Sequence, residues 1–490
     1  MPTINEAIQL AWKIHQEGNV QQAENLYRQI LAQAPSSAAT HVYLGIALYD
    51  QRQFQSAVQA YHRAIDLQPQ FPIAWNNLGN ALRMRNELES ADAAFQMAID
   101  QDPTYLSPLK NRGTLWVWSG QVQRGLNWYQ KGLDLVPDEP ELRRNLGVIR
   151  LLIGDHVEGW AQYRFRWNMP GLVRPDSAIK YFDAKPWDGS DPTGKHFLLY
   201  PEQGLGDEVQ FARSAKWIAD RGGRVMMVVR PGRESILSNC PGVASTLREA
   251  EVFAANGMSS IDYHASTIEV VDHLHRQLTR DDDDVNPIEE NVSAGSIRKW
   301  TNDVWVPDVL QLDQQRVDYW RRWLDNQVSG GENVRTIGIC WQGNPKHDAD
   351  IYRSAPLQTL KRLGDLRDTV FVCLQHGFGI QQLDDPAAAD WLRGRVLRLP
   401  SDVDRDGNFV DTAAIMNCLD VVVTTDTSTA HIAGSLQCDT RLLLGRVPDW
   451  RWGMSGDRTP WYPTMKLYRQ EQIGDWGPVV NAIVDDLARG

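Results

Sequence analysis

The sequence predicts an all-α solenoid of helical hairpins, followed by an α/β region with two lobes. In the N-terminal third a proline recurs every 34 residues, and a fixed period of this length is typical of a helical repeat. Helical periodicity stops after Trp167, where a stretch rich in Pro and Gly begins. From His196 onward, short apolar runs alternate with helical patterns, as they do in a parallel sheet covered by helices.

The repeats carry the same residue types at the same positions. An aromatic residue lies eight positions before each proline, and a small residue lies four positions before the aromatic one. The prolines are Pro35, Pro69, Pro103 and Pro137, and the aromatic residues are Tyr27, Tyr61, Phe95 and Tyr129. The small residue lets two helices cross closely, the ring fills the gap, and the proline ends the second helix. The pattern resembles the tetratricopeptide repeat, which implies five hairpins beginning near residues 4, 38, 72, 106 and 140, the last without a closing proline.

The sixth position of the last three repeats is always asparagine. These residues, Asn77, Asn111 and Asn145, are called the asparagine ladder below. A side-chain amide can both donate to and accept from an extended peptide backbone, so the ladder predicts a protein or peptide acceptor on the concave face of the solenoid. A similar ladder marks the repeats of O-GlcNAc transferases. The alternative is that these amides only pack against the neighbouring hairpin.

Composition and charge exclude several classes of protein. The chain is 42% hydrophobic and 23% charged, and no apolar run approaches the roughly 20 residues that a membrane span needs. A net charge of −12 argues against a nucleic-acid partner, which needs a concentrated basic surface. The N-terminus lacks the basic start and cleavage site of a signal peptide, so we expect a cytoplasmic location. The five cysteines are odd in number and widely spaced, which predicts neither a disulfide framework nor structural zinc.

The first α/β lobe opens with YPEQGLGDEVQF, in which two carboxylates follow an apolar strand and two glycines. Asp207 and Glu208 fall in the first turn of the predicted helix. Acidic residues are common there because free amides and the helix dipole favour them, so Asp207 could be only a cap. The other interpretation is a catalytic carboxylate at the mouth of a cleft. Glu208 is the rival for that role, since adjacent helical residues point about 100° apart and normally only one faces the cleft.

The second lobe contains the richest motif, CLDVVVTTDTSTAHIAGSL. An apolar strand ends in a run of hydroxyl and acidic residues, within which a helix begins. The polar residues of this segment, called the donor turn below, are Thr425, Asp426, Thr427, Ser428, Thr429 and His431. Hydroxyls and free amides at the carboxyl edge of a parallel sheet are typical of a site for an anion, and a diphosphate fits such a site.

Three segments resemble the heptosyltransferase-type glycosyltransferases of the GT-B fold: GLGD at 204–207, WQGNPKHDADIYRS at 341–354 and DTSTAH at 426–431. With the repeats in front, the layout resembles the bacterial tetratricopeptide-repeat glycosyltransferases. The resemblance implies that Asp207 is the catalytic base and that the donor turn binds a nucleotide-sugar, with no cofactor. Because two paired Rossmann-like lobes argue against a D-x-D metal site, no metal ion is expected.

Three further residues are candidates for the nucleotide-sugar. Lys346 and Arg353 lie in the segment that resembles the phosphate-contacting one of that family, and a cation there would neutralise the charge that grows on the leaving diphosphate. Gln375 ends a predicted strand at the same edge of the sheet and is a candidate contact for the nucleotide. For the two cations the alternative is an ordinary surface charge.

The sequence therefore predicts a glycosyltransferase that moves a sugar from a nucleotide-sugar to an acceptor hydroxyl with inversion, the base taking the hydroxyl proton. The predicted acceptor is a protein. Two alternatives stay open: a non-catalytic repeat scaffold whose transferase half has decayed, and a transferase that acts on a glycan or lipid. The predicted domains are repeats at 1–168, a linker at 169–195, an acceptor-side lobe at 196–332 and a nucleotide-sugar lobe at 333–490.

Overall fold

The computed structural model describes residues 3–254, 260–280, 310–328, 334–347, 349–392 and 394–489. The chain forms two compact units. The first comprises Met1–Ile149 and Gln162–Asn168, and the second comprises Arg150–Ala161 and Met169–Gly490. The predicted boundary between residues 332 and 333 lies outside the described residues.

The N-terminal region is an all-helical solenoid, as the period predicts. Its helices are α1 (Ile4–Gln16), α2 (Val20–Gln33), α3 (Ala38–Asp50), α4 (Phe54–Leu67), α5 (Pro72–Met84), α6 (Leu88–Gln101), α7 (Leu106–Trp118), α8 (Val122–Leu135), α9 (Pro140–Leu152) and α10 (His156–Tyr163). A 3₁₀ helix, Arg164–Asn168, follows. Helices α2, α4, α6 and α8 each end two residues before a repeat proline, because proline disfavours the helical conformation in the residue before it.

Close helix crossings inside the hairpins depend on glycine. A Cβ atom added at Gly45, Gly79 or Gly113 would lie 2.4, 2.6 or 2.5 Å from a ring atom of the aromatic residue of the same repeat. Those rings are buried, with Tyr61 1%, Phe95 0% and Tyr129 3% exposed. The ring therefore occupies the space that the glycine leaves open.

A further recurring contact joins successive repeats. A side chain at the fourth position of a repeat bonds to the carbonyl oxygen of the proline that closes the preceding one. The pairs are His41 with Pro35, Trp75 with Pro69 and Arg143 with Pro137, at 3.1, 3.1 and 2.7 Å. Three different residue types thus fix the same junction, which explains why this position shows no sequence pattern.

The second unit is built on two parallel sheets. The strands are β1 (Lys185–Pro186), β2 (His196–Tyr200), β3 (Arg224–Val228), β4 (Val243–Leu247), β5 (Tyr263–Ser266), β6 (Arg335–Cys340), β7 (Thr369–Cys373), β8 (Val396–Arg398), β9 (Val421–Thr425), β10 (Thr440–Leu444) and β11 (Met465–Arg469). The first sheet has the order β1-β5-β2-β3-β4 and the second β11-β10-β9-β6-β7-β8. The predicted parallel α/β architecture is confirmed for this region.

Helices connect these strands. They are α11 (Asp176–Tyr181), α12 (Leu205–Phe211), α13 (Ser214–Asp220), α14 (Glu234–Leu237), α15 (Thr267–Arg280), α16 (Gln314–Gln327), α17 (Asp350–Arg353), α18 (Pro386–Leu392), α19 (Val410–Met416), α20 (Ser428–Ser435) and α21 (Gly477–Arg489). Short 3₁₀ helices lie at Glu249–Ala254, Leu357–Asp365, Ile380–Asp384 and Trp450–Trp452. Core residues of the second sheet, such as Ile337, Ile339 and Phe371, are fully buried.

The region predicted as a linker contains regular structure. Helix α11 and strand β1 both lie between residues 169 and 195, and β1 pairs with β5 at the edge of the first sheet. A two-residue strand that itself contains a proline has no apolar pattern of its own, so the pairing with β5 determines it.

Two searches of the described residues gave negative results. No helix there has both the length and the apolar composition needed to cross a membrane. The same residues contain no cluster of three or more His, Cys, Asp or Glu side chains that could hold a metal ion.

Candidate functional site

The first corner of the candidate site lies between β2 and α12. The chain leaves the first sheet at Tyr200 and enters the helix at Leu205, so that Asp207 lies in the first turn. Asp207 Oδ2 accepts a hydrogen bond of 3.0 Å from the backbone N–H of Gly204, the residue before the helix. The carboxylate therefore does cap the helix, and 17% of its side chain stays exposed.

The second corner is the donor turn between β9 and α20. Its strand lies beside β6 and β10 in the middle of the second sheet, and both Thr425 and Asp426 are buried. Thr429 Oγ1 lies 3.5 Å from the thiol of Cys340, at the end of β6. Among the described residues, the buried hydroxyl of Thr425 has no hydrogen-bond partner, which is unusual for a polar atom removed from water.

The two corners are in direct contact, because α12 packs against α20. A Cβ atom added at Gly206 would lie 2.6 Å from Cδ2 of His431, so only glycine lets the first corner approach this closely. His431 is held from the other side as well. Its Nδ1 lies 2.9 Å from the hydroxyl of Tyr462, and its ring stacks on Trp452 with centroids 5.4 Å apart.

Arg451, which is not among the residues predicted from the sequence, links the corners by charge. It lies on the 3₁₀ turn Trp450–Trp452 and donates to Asp207 Oδ1, to Asp449 Oδ1 at 2.7 Å and to Gln210 Oε1 at 2.5 Å. Its guanidinium also lies over the rings of Phe211 and Trp450. The signal in the sequence was the DWRW segment, in which a cation stands between two tryptophans and two positions after an aspartate.

The two candidate bases differ in environment. Burial raises the pKa of Asp207; the Arg451 guanidinium opposes the rise, and the Asp449 carboxylate adds to it. Burial also raises the pKa of Glu208, and the guanidinium groups of Arg230 and Arg233 oppose it. Only 1% of the Glu208 side chain is exposed, and it forms an ion pair of 2.7 Å with Arg230. Of the two carboxylates, Asp207 is therefore the one that remains accessible from outside the fold.

The donor turn holds a carboxylate and an imidazole with shifted pKa values. Burial raises the pKa of Asp426 to about 6, with a further rise from the Asp449 carboxylate and an opposing effect of Arg353. Burial lowers the pKa of His431 well below its ordinary value, and nearby guanidinium groups lower it further. The ring of His431 is therefore neutral at pH 7.

Of the two predicted cations, Arg353 lies close enough to the donor turn to act on it. Its guanidinium affects the pKa of both Asp426 and His431, and its ion pair with Asp350 spans 3.8 Å. Within the described part of the chain, its buried Nε makes no hydrogen bond. Lys346 is exposed, and its backbone N–H bonds to the side chain of Asn344 in a local turn.

Gln375 uses its amide inside the fold. Its Oε1 accepts from the backbone N–H groups of Trp341 and Gln342, at 3.0 Å each, and its Nε2 donates to the carbonyl oxygens of Gln342 and Phe378. The side chain is 4% exposed. It thus fixes the loop after β6, and its amide has no free capacity to contact a nucleotide. Thr427 and Ser428 are half-buried at the start of α20.

The asparagine ladder is partly engaged within the solenoid. Asn111 Nδ2 donates to Asn76 Oδ1 of the preceding repeat at 2.9 Å, and Arg144 donates to Asn145 Oδ1 at 2.8 Å. Asn76 in turn donates to Asn77 Oδ1 at 3.4 Å. All three ladder residues are half-buried. The bond between repeats is what the packing interpretation requires, while the remaining exposure is what peptide binding requires.

Comparison with known proteins identifies the repeats. The family model for the tetratricopeptide repeat matches residues 16–61 and 44–105. The N-terminal region of the chain is therefore built of tetratricopeptide repeats. The protein FlbA of Caulobacter vibrioides is 25% identical over 353 residues, which cover 69% of this chain and 54% of FlbA. The chain thus spans about half of the length of the curated relative that it matches.

Several solved structures are similar to about a third of the chain. The repeat protein TTC0263 of Thermus thermophilus is 19% identical, covers 34% of this chain and 92% of its own, and has a TM-score of 0.32. PilF of Pseudomonas aeruginosa is 21% identical, with coverages of 37% and 82% and a TM-score of 0.32. YrrB, described as a repeat protein with an unusual peptide-binding site, is 14% identical, with coverages of 33% and 84% and a TM-score of 0.27.

Proposed function

We propose that the chain is a glycosyltransferase that moves a sugar from a nucleotide-sugar to a hydroxyl of a protein held by the repeats. The observation that carries the proposal is the contact between the two corners. An accessible carboxylate from the first sheet and a turn rich in hydroxyls from the second meet at Gly206 and His431. A transferase needs both a proton acceptor and an anion site at one place.

In the proposed reaction, Asp207 takes the proton of the acceptor hydroxyl as its oxygen attacks the anomeric carbon. The bond from that carbon to the diphosphate breaks, and the configuration is inverted. The donor turn and Arg353 hold the departing diphosphate, whose negative charge grows as the bond breaks. In this scheme residues 196–332 form the acceptor-side lobe and 333–490 the nucleotide-sugar lobe of a metal-independent GT-B enzyme, joined to the repeats through residues 169–195.

The second candidate function is a non-catalytic interaction scaffold. The observation that favours it is the family match, which falls on the repeats. Solenoids of stacked hairpins commonly bind peptides in the groove that they form. A scaffold has no need for the Asp207–Arg451 pair, or for a buried Thr425 hydroxyl that finds no hydrogen-bond partner in the described part of the chain, and for that reason we favour the enzyme. A transferase that acts on a glycan or lipid remains the third candidate.

The first experiment is a thermal-shift panel of UDP-, GDP-, ADP- and CMP-sugars. A ligand at 100 times its dissociation constant stabilises a fold by about 2.7 kcal/mol, which is readily measured. Asp426→Ala should remove the shift because the variant alters the donor turn, whereas Asp402→Ala, at an exposed aspartate of the same sheet's loops, should keep it. A shift from none of the nucleotide-sugars would overturn the enzyme and leave the scaffold.

A further inference from the structure

Arg451 stands between the elements of the two sheets. Its 3₁₀ turn follows β10 of the second sheet, while two of its partners, Asp207 and Gln210, belong to α12 beside the first sheet. The side chain is 4% exposed. A buried guanidinium needs partners for its donors, and three acceptors on two elements supply them here.

Neighbouring groups fix the direction of this guanidinium. Asp449 accepts from the Arg451 backbone N–H at 3.1 Å and from Nη1 at 2.7 Å, so the residue that caps the 3₁₀ turn also orients the side chain. The rings of Phe211 and Trp450 lie 5.0 and 4.7 Å from the guanidinium carbon. Trp450 is itself packed against Trp160 and Trp461. The cation is therefore held rigidly before any substrate binds.

Asp207 is held at both of its oxygens. Oδ2 accepts from Gly204 N–H, and Oδ1 accepts from Arg451. Each carboxylate oxygen can accept a second hydrogen bond, so the carboxylate keeps capacity for a hydroxyl while its plane is fixed. The charged and titratable groups that act on it are Arg451, Asp449, Glu202, Glu208 and Tyr462. Arg451 is the cation in this set, and Asp449 faces it from the same turn.

We propose that Arg451 is a positioning residue, which fixes the carboxylate of Asp207 in direction and keeps it ionised so that it can accept a proton. The inference rests on the proposed function, because it gives Asp207 the role of base. It goes further because it assigns control of the ionisation of Asp207 to Arg451, which lies on the turn after β10 of the second sheet. Asp449 carries the opposing charge. The two residues therefore have effects of opposite sign on the same group.

Because Arg451 and Asp449 have opposite effects on the ionisation of Asp207, substitutions at both residues test the proposal. Arg451→Gln removes the cation, and burial then favours the protonated form of Asp207 more strongly. Asp449→Asn removes an anion and can still cap the 3₁₀ turn, so it should favour the ionised form. Arg451→Lys keeps the charge without the planar fork and should restore part of the effect. If Arg451 and Asp449 had a merely structural role, all three variants would be less stable, but their pH profiles would not shift in opposite directions.

The first readout needs no substrate. The free energy of unfolding is measured against pH for each background with and without Asp207→Asn, and the difference reports the ionisation of Asp207 alone. Since burial raises the pKa of this group, its contribution to stability is present at low pH and is lost as the pH rises through the folded-state pKa. The pH at which the loss is complete should move up by about 1–3 units in Arg451→Gln and down in Asp449→Asn.

The second readout uses the nucleotide-sugar that gives the largest thermal shift, with release of its nucleotide as the assay. The acidic limb of kcat/KM should move in the same two directions. Unchanged limbs in an active parent chain would overturn the inference while the proposed function stands. If the pH dependence of the free energy of unfolding shifts as expected but the parent chain shows no turnover, the proposed function is overturned. The effect of Arg451 on the ionisation of Asp207 would still be supported.

Discussion

Lowering the pH from 7 to 5 should weaken the second unit through two neighbouring histidines, the half-buried His156 of α10 and the buried His275 of α15. Their ring centroids lie 5.3 Å apart. Burial lowers the pKa of His156 to about 3, with a further decrease from the neighbouring imidazole, and burial lowers the pKa of His275 to about 4, against an opposing effect of Asp272. Both rings therefore stay neutral in the folded chain at pH 5.

The loss can be worked out from these values. An unfolded histidine titrates near pH 6.5, so below that pH the unfolded chain takes up protons that the folded chain refuses. Stability is fully present above pH 6.5 and falls by about 1.4 kcal/mol per pH unit for each histidine until the folded pKa is reached. Between pH 7 and pH 5 this amounts to about 2 kcal/mol per histidine, or about 4 kcal/mol for the pair.

The assay compares His156→Phe with the parent chain by thermal unfolding at pH 7 and pH 5. The phenyl ring fills the same place without titrating, so the variant should lose about 2 kcal/mol less on acidification, or roughly 4 °C less in Tm. The matched control is His62→Phe, at an exposed histidine of the first unit, and its change with pH should equal that of the parent chain. Equal acid sensitivity of His156→Phe and the parent would refute the reasoning, because the pair would then be protonated in the folded chain.

Three further predictions concern the candidate site and the repeats. Gly206→Ala should disrupt the contact with His431 and lower the Tm by several degrees. Gly204→Ala should be tolerated, because the nearest atom to its Cβ among the described residues is Asp207 Oδ2, at 3.7 Å. Circular dichroism melts distinguish the two variants. Asp207→Asn should reduce turnover by about 10²–10⁴ with donor affinity unchanged, as measured by single-turnover kinetics and calorimetry, and a parental rate would reduce Asp207 to a cap. Replacing all three ladder asparagines by Ala should reduce transfer to a protein acceptor but not hydrolysis of the nucleotide-sugar, and equal loss of both would assign the ladder to packing.

The repeats could be predicted because their signals are local. A proline, an aromatic ring and a small residue at fixed offsets each act within one hairpin, so the sequence carries the whole pattern. The apolar strands of the second unit, such as β2 and β9, were readable for the same reason, since burial on both faces gives a continuous apolar run. Strand β5, with the sequence YHAS, gave no such run, and its pairing with β1 and β2 forms it.

The site could be predicted only in part, because its decisive contacts join distant segments. GLGD and the donor turn were recognisable as corners of strand and helix. Arg451 and Asp207 are 244 residues apart, and no pattern in either segment indicates that they pair. For Gln375 the sequence suggested a contact that the structure does not favour. Its position at the end of a strand suggested a ligand contact, but its side-chain amide forms hydrogen bonds with the backbone of the neighbouring loop.

Residues Arg150–Ala161 lie in the fifth helical hairpin but belong to the second unit, where Trp160 packs against Trp450 with centroids 5.4 Å apart. Repeat arrays often change length during evolution, because each hairpin touches only its neighbours and can be duplicated or deleted. At the C-terminal side, a genetic crossover at residue 168 would separate Trp160 from its partner Trp450, so the last hairpin and the sheets that follow it in the chain must be inherited together.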